Sequence, residues 1–204
     1  MINGIFRTRY TMVLKKEVLR KSIHLAAAFT PLVFHVAHYP ALIFLCVVLC
    51  AYSVAEYLRR SKGIGVPVFS TLTAACERKR DENKFVLGPV TLCTGIIITA
   101  FFFEEKCAAV GIYALAFGDG LASLVGKCFG TIHIPFAPEK TAAGSLACFA
   151  SVFAASFLVT RNSLFALILA FAAMFLELLP LKDYDNIVIP IAVASLSQFV
   201  LRVC

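Results

Sequence analysis

The chain has 204 residues, of which 60% are hydrophobic and 15% charged, against the roughly 45–50% apolar and about 25% charged residues of a soluble domain. With a mean hydropathy of +0.87, this excludes an ordinary soluble enzyme and points to an all-α polytopic membrane protein, because only helices and closed barrels satisfy their backbones in lipid and the strict alternation of a barrel is absent. About seven spans of about 20 residues occupy about 140 positions, leaving no room for a separate soluble catalytic domain, so any chemistry must be assembled from helix ends and short loops at one membrane face.

Residues 1–21 read as a basic leader containing Arg7, Arg9, Lys15, Lys16, Arg20 and Lys21. It has no small-residue cleavage site and is expected to stay attached, either as an interfacial helix carrying Ile5, Phe6, Met12, Val13 and Leu14 or as a disordered arm. Residues 22–204 read as one transmembrane domain, with apolar runs at about 22–38, 40–58, 86–103, 107–125, 143–160, 163–180 and 187–203. The leader and the connections at 59–85, 126–142 and 181–186 hold sixteen of the nineteen Lys and Arg; only Lys106, Arg161 and Arg202 fall on the other side. Cytoplasmic loops retain positive charge, so the N-terminus is expected in the cytoplasm and the C-terminus outside. The +7 net charge is thus a leaflet signature and, without a nucleic-acid-binding motif, no sign of a nucleic-acid partner. The stretch 64–75 is too short to span and is expected at the interface. The eight cysteines form no CxxC pair and read as small buried hydrophobes.

Where ionisable residues enter the predicted spans, His24, Glu56, Asp119 and Glu177 lie toward the cytoplasmic ends. A charge inside a span is costly unless it pairs or faces water, so this bias predicts a polar cavity open to the cytoplasm. For Glu56, snorkelling at a helix end is the preferred explanation.

The segment GIYALAFGDGLASLVGKCFG (111–130) sets Asp119 between Gly118 and Gly120. Two flanking glycines predict a broken or closely packed helix whose backbone can meet a ligand. Asp119, Ser123 and Lys127 recur at i, i+4 and i+8 on one face, beside a small-residue stripe of Gly118, Ala122, Gly126 and Gly130. Helix packing through small residues accounts for the glycines but gives no reason for the aspartate. In HIPFAPEKTAAGS (133–145), Lys140 can meet a phosphate as a point charge, while Thr141 or Ser145 can cap the following helix, whose N-terminus, with Gly144, is itself an anion site. Glu177, Asp185 and Asn186 follow, with Pro180 and Pro190. Asp185 and Asn186 are candidates to share a magnesium ion with Asp119, since Mg²⁺ in nucleotide sites takes one or two carboxylates plus phosphate oxygens; a helix N-cap is the competing explanation for Asp185. In LRKSIHL (19–25), Arg20 and Lys21 sit at headgroup level with His24 just inside, a set suited to a phosphate or a lipid hydroxyl. Lys84, in KFVLGP, marks the start of the third span at the same face.

From Arg20 to Pro190 the chain resembles the membrane CTP-using lipid kinases that include dolichol kinase, phytol kinase and CTP-dependent diacylglycerol kinase, a group related in pattern to phosphatidate cytidylyltransferase. The resemblance rests on RKSIH, GDGLASLVGKCFG, EKTAAGS and the stretch from Glu177 through Asp185-Asn186 to Pro190. A KD pair without a PGHGG run is closer to the kinase branch. The resemblance implies a multi-pass integral membrane fold, a cytoplasm-facing nucleotide site, CTP as co-substrate, a divalent metal such as Mg²⁺ and a lipid alcohol as acceptor. It implies in turn that Asp119 binds the metal with Asp185, that Lys140 and Lys127 hold the triphosphate, and that Glu177 or His24 orients or deprotonates the alcohol. Cytidylyl transfer to phosphatidate, aided by Arg59, Arg60, Arg78, Lys79 and Arg80, and an ion-relaying transporter are the competing expectations.

Overall fold

The computed structural model of the protein describes residues 16–78, 81 and 84–203. The expectation for a leader helix through Ile5 to Leu14, and the cations Lys79 and Arg80, lie outside the described residues.

Helix α1 (16–26) passes through a three-residue 3₁₀ turn, Ala27–Phe29, into α2 (Thr30–Lys62). The run Lys16–Lys62 holds 47 residues; straight, it would extend about 70 Å, more than twice the hydrocarbon core. A break at Ala37 (φ −146°, ψ 66°) divides it. Pro40 follows, and without an N–H it cannot complete the bond back to Val36 that would carry the helix through. The break falls at the end of the first predicted span, just before the second. Gly63, in the left-handed region at φ 68°, closes α2.

The region predicted as a 59–85 loop contains a further helix, α3 (Pro67–Cys76), begun by a proline at its first turn. It is pinned to α2 by buried Glu56: Oε1 accepts from Arg59 and, at 3.0 Å, from the Val86 amide, and Oε2 accepts from Thr73 Oγ1 at 3.1 Å. Glu56 therefore does not snorkel. It is 2% exposed and joins three segments.

Helix α4 (Gly88–Phe102) leads to α5 (Glu105–Tyr113), a π-helical stretch Ala114–Asp119, and α6 (Gly120–Phe129). The last three are one continuous 25-residue helix, locally widened rather than broken, with Asp119 ending the widened turn. Single π turns recur where a helix carries function. A two-stranded antiparallel ribbon, β1 (His133–Ile134) and β2 (Ala137–Thr141), departs from the all-α expectation. Its cause is local: Ile134 precedes Pro135 and Ala137 precedes Pro138, and a residue before proline is driven from helical to extended backbone. Helices α7 (Ala142–Thr160), α8 (Ser163–Leu178) and α9 (Asp185–Val203) complete the fold.

The central helix holds the assembly together, because it contributes to both core clusters. Ile112, Leu115 and Ala116 pack with Phe34, Leu42, Leu92 and Ile96; Val110, Ala114 and Ala122 pack with Val152, Leu169, Ile189 and Val193. Outward, large apolar side chains such as Phe44, Val47, Phe101, Leu158, Phe175 and Phe199 are exposed, a surface suited to hydrocarbon rather than water. Four helices are long and apolar enough to cross a membrane, Lys16–Lys62, Glu105–Phe129, Ala142–Thr160 and Asp185–Arg202, and Gly88–Phe102 and Ser163–Leu178 are shorter apolar helices. At one end of the fold His35 meets Glu105 at 2.5 Å and Arg202 meets Glu104 at 3.4 Å; the other charged contacts described below gather at the opposite end.

Two glycines let α9 approach closely. A Cβ at Gly95 would stand 2.0 Å from the Asn186 carbonyl oxygen, and one at Gly111 2.3 Å from that of Pro190, the close backbone contact that small residues permit between membrane helices. Gly95→Ala is therefore expected to destabilise the fold by about 2 kcal/mol or more. Gly88→Ala, with nothing within 4 Å, serves as the control. Thermal unfolding of the detergent-solubilised variants checks this; equal midpoints would contradict the packing argument.

Candidate active site

Asp119 is 5% exposed at the end of the π stretch. Lys21 Nζ donates to its Oδ2, and His24 Nδ1 lies 3.1 Å from the same oxygen. Lys21 is itself 2% exposed, and an ammonium so deeply placed persists only with a paired anion. Lys21 was expected at a lipid headgroup and His24 at a reacting hydroxyl; Lys21 instead pairs with the aspartate from α1, and His24 stands beside it.

The same face of α1 carries Glu17 and Arg20, since positions i, i+3, i+4 and i+7 of a helix align. Glu17 was not among the candidates. Its Oε1 accepts from Arg20 Nη2 at 2.6 Å and from Ser123 Oγ at 2.5 Å, and its Oε2 faces Lys127 Nζ at 2.9 Å. The leader was read as ending at residue 21, which cut Glu17 off from the helix whose periodicity would have revealed it.

On the opposite wall, Lys140 of β2 donates to Glu177 Oε1, at the end of α8. Glu177 is 5% exposed, and its Oε2 is buried without a hydrogen-bond partner. Thr141 caps α7, accepting from the Gly144 amide at 3.2 Å. One residue on, the Ser145 hydroxyl is buried and unpartnered. Helices α6 and α7 touch here backbone to backbone: a Cβ on Gly126 would meet Thr141 Oγ1 at 2.9 Å, and one on Gly144 would meet the Ala122 carbonyl at 2.7 Å. Asp185 opens α9, its Oδ1 accepting from the Asn186 amide at 2.8 Å.

These groups line one cleft of about 1320 Å³, above the usual 300–1000 Å³ of a small-ligand pocket. Of the sequence candidates, Arg20, Lys21, Asp119, Ser123, Gly126, Lys127, Lys140, Thr141, Gly144, Ser145, Glu177 and Asp185 line it. Others do not. His24 stands behind Asp119, beside a small cavity shared with Cys76 and Arg78. Gly118 packs against Val152 and Cys148, and Gly120 against Leu25, so both serve helix contact rather than the cleft wall. Asn186 donates its amide N–H to Thr91 Oγ1 at 2.9 Å and does not line the cleft. Lys84 is exposed and off the cleft. Glu77, His133 and Lys182 line the cleft without having been candidates, and Arg78, expected only for cytidylyl transfer, lines it too. Arg78 also meets Asp183 at 3.2 Å, tying the segment after α3 to the α8–α9 connection.

Burial pushes the Cys76 thiol up to about 11, so near neutral pH it is protonated and inert as a nucleophile. The seven cysteines among the described residues are free thiols. Among the described residues no three His, Cys, Asp or Glu side chains gather as a metal cage. Among the carboxylates that line the cleft are Asp119 and Asp185. Such a sparse, hard-oxygen donor set suits Mg²⁺, which completes its shell with water and substrate phosphate.

Fold and cleft together define a helical membrane protein with a charge-lined cavity at one end of its helices. Its sequence is similar to that of lipid-alcohol kinases, the group its motifs resemble. A probable chloroplastic phytol kinase of Triticum aestivum is 29% identical over 148 residues, 64% of this chain and 49% of that protein. The farnesol kinase of Arabidopsis thaliana is 29% identical over 96 residues, 46% of this chain and 31% of its own length, and CTP-dependent diacylglycerol kinase 1 of Eremothecium gossypii is 32% identical over 87 residues, 41% and 27% respectively. The chain spans about half the length of the phytol kinases it matches. No protein-family model matches it, and no solved structure does.

Proposed function

We propose that the protein is a CTP-dependent kinase that phosphorylates a membrane lipid alcohol of the polyprenol, phytol or diacylglycerol type at the cytoplasmic leaflet. The single observation that carries this reading is the cleft in which Asp119, Lys127, Lys140, Asp185 and the N-terminus of α7 face one space, in a chain similar to phytol, farnesol and diacylglycerol kinases.

Seven passes follow if the break at Ala37 is the first turn and the shorter helices α4 and α8 also cross. The charge bias of the loops then sets the cleft at the cytoplasmic face, with residues 22–204 as one catalytic domain. In the reaction the lipid hydroxyl oxygen forms a bond to the γ-phosphorus of CTP, the bond from that phosphorus to the bridging oxygen breaks, CDP leaves, and the hydroxyl proton passes to a carboxylate. Most of the barrier reduction in such a transfer comes from positioning and charge neutralisation. Lys140 and Lys127 hold the polyphosphate from two sides. The positive end of the α7 dipole and the unpartnered Ser145 hydroxyl add to this. Glu177 Oε2, buried and unpartnered, is the better placed acceptor for the alcohol proton. His24 orients Asp119 with Lys21. A Mg²⁺ ion held by Asp119 and Asp185 would neutralise phosphate charge when the nucleotide is bound.

The test is transfer of label from CTP carrying ³²P at either the α or the γ position to a panel of lipid alcohols and phosphatidate. The expected result is γ-label on an alcohol. Label reaching lipid from the α position alone would mean cytidylyl transfer and overturn the kinase reading. A parallel run with ATP decides the nucleotide.

A further inference from the structure

Glu17 is a cleft carboxylate that takes no part in the reaction as written, yet three donors meet it. Arg20, Ser123 and Lys127 converge on its two oxygens at 2.5–2.9 Å, and it is 8% exposed. These donors come from two helices, α1 and α6, that are distant in sequence. With Oε1 engaged twice and Oε2 facing an ammonium, Glu17 is poorly suited to accept a proton. It is well suited to hold cations in place. Lys127 needs such a hold: its side chain is 47% exposed, and a lysine that free samples many rotamers, each lost at an entropic cost when it must meet a ligand.

We infer that Glu17 is a positioning residue that aims Lys127 and Arg20 into the cleft as a preformed cradle for the polyphosphate end of the nucleotide. The inference rests on the kinase reading above. It adds that α1 serves the nucleotide through Arg20 and through the hold of Glu17 on Lys127, and that Ser123 serves by fixing this carboxylate rather than by touching phosphate. A carboxylate beside a polyanion site would otherwise be a handicap, since like charges repel. Preorganisation of two cations and a hydroxyl offsets that repulsion.

The experiment uses the full chain in detergent or nanodiscs. CTP binding is measured by equilibrium dialysis, and KM and kcat by lipid phosphorylation, for the wild type, E17Q, E17D, K127M and E17Q/K127M. Glu17→Gln is expected to raise Kd and KM for CTP about tenfold with kcat changed less than about threefold, Glu17→Asp to restore part of the loss, and Glu17→Gln to add less than about twofold in the Lys127→Met background, because residues acting through one another are non-additive. A tighter Kd in E17Q would mean that Glu17 merely competes with phosphate for the cations, and overturns the inference. So does an additive loss in the double variant, or a lowered unfolding midpoint with CTP binding unchanged. A wild type that neither binds CTP nor phosphorylates any alcohol sinks the kinase reading, and this inference with it; a wild type that does both beside an unaffected E17Q sinks this inference alone.

Discussion

Asp119→Asn is expected to reduce lipid phosphorylation by at least about a thousandfold, with the chain still inserted in the membrane. Two effects act together, and they separate by design. The first is chemical: on the kinase reading Asp119 would hold Mg²⁺, which an amide would bind far less well, and the charge developing on the phosphoryl group would lose its main counterweight. The second is structural: Lys21, 2% exposed and donating to Asp119, would be left as a buried ammonium with no anion, at a cost of about 3–5 kcal/mol. The variant D119N should therefore unfold earlier on heating as well as lose activity. Adding Lys21→Met removes the stranded charge, so K21M/D119N should regain much of the thermal stability and none of the phosphorylation. Label transfer and unfolding midpoints, measured on the same preparations, check both halves. Recovery of activity in the double variant would reduce Asp119 to a structural counter-ion.

The second large effect is expected at Lys140. Lys140→Ala should lower kcat/KM by about a hundredfold to a thousandfold, the usual range for removing one preorganised charge from a site of developing negative charge, and should raise KM for CTP. Lys140→Arg should recover only part of it, because a planar guanidinium does not reproduce the compact ammonium of lysine. Its partner separates the roles: Glu177→Gln should lower kcat with little change in KM for CTP if its unpartnered Oε2 receives the alcohol proton. Steady-state kinetics with varied CTP at saturating alcohol read both. Equal falls in kcat for the two variants with unchanged KM would place Lys140 on the alcohol side of the reaction rather than with the nucleotide.

Much of the architecture is legible in the residue order. Apolar runs at 86–103, 143–160, 163–180 and 187–203 lie within a few residues of α4, α7, α8 and α9, because an apolar stretch of helical length has few other ways to satisfy its backbone. The glycine-flanked Asp119 stood out because nothing in helix packing calls for a carboxylate there, and Thr141 and Ser145 because hydroxyl residues before an apolar run mark a helix start. Glu17 was hidden by a boundary: assigned to a leader, it had no face to belong to. The β-ribbon was written in the two X-Pro pairs but outweighed by the all-helical composition. Gly118, Gly120 and Asn186 were grouped with the site by nearness in sequence, and helical rotation turns them to other neighbours; Lys84 was grouped by membrane face and stands exposed before α4, off the cleft.

The sequence by itself determined that this is an apolar helical chain, which of its ends gathers charge, and which few polar residues had no packing reason to exist, since those properties depend on solvent preference and local spacing alone. Only the tertiary structure decided who pairs with whom: that Lys21 of α1 pairs with Asp119 and His24 stands beside it, that Glu17 reaches Lys127, and that Lys140 meets Glu177 across the cleft. Those pairs join positions 37 to 110 residues apart, and at such separations electrostatic partnership is set by how helices dock through glycine contacts, a property of packed surfaces that no local spacing encodes.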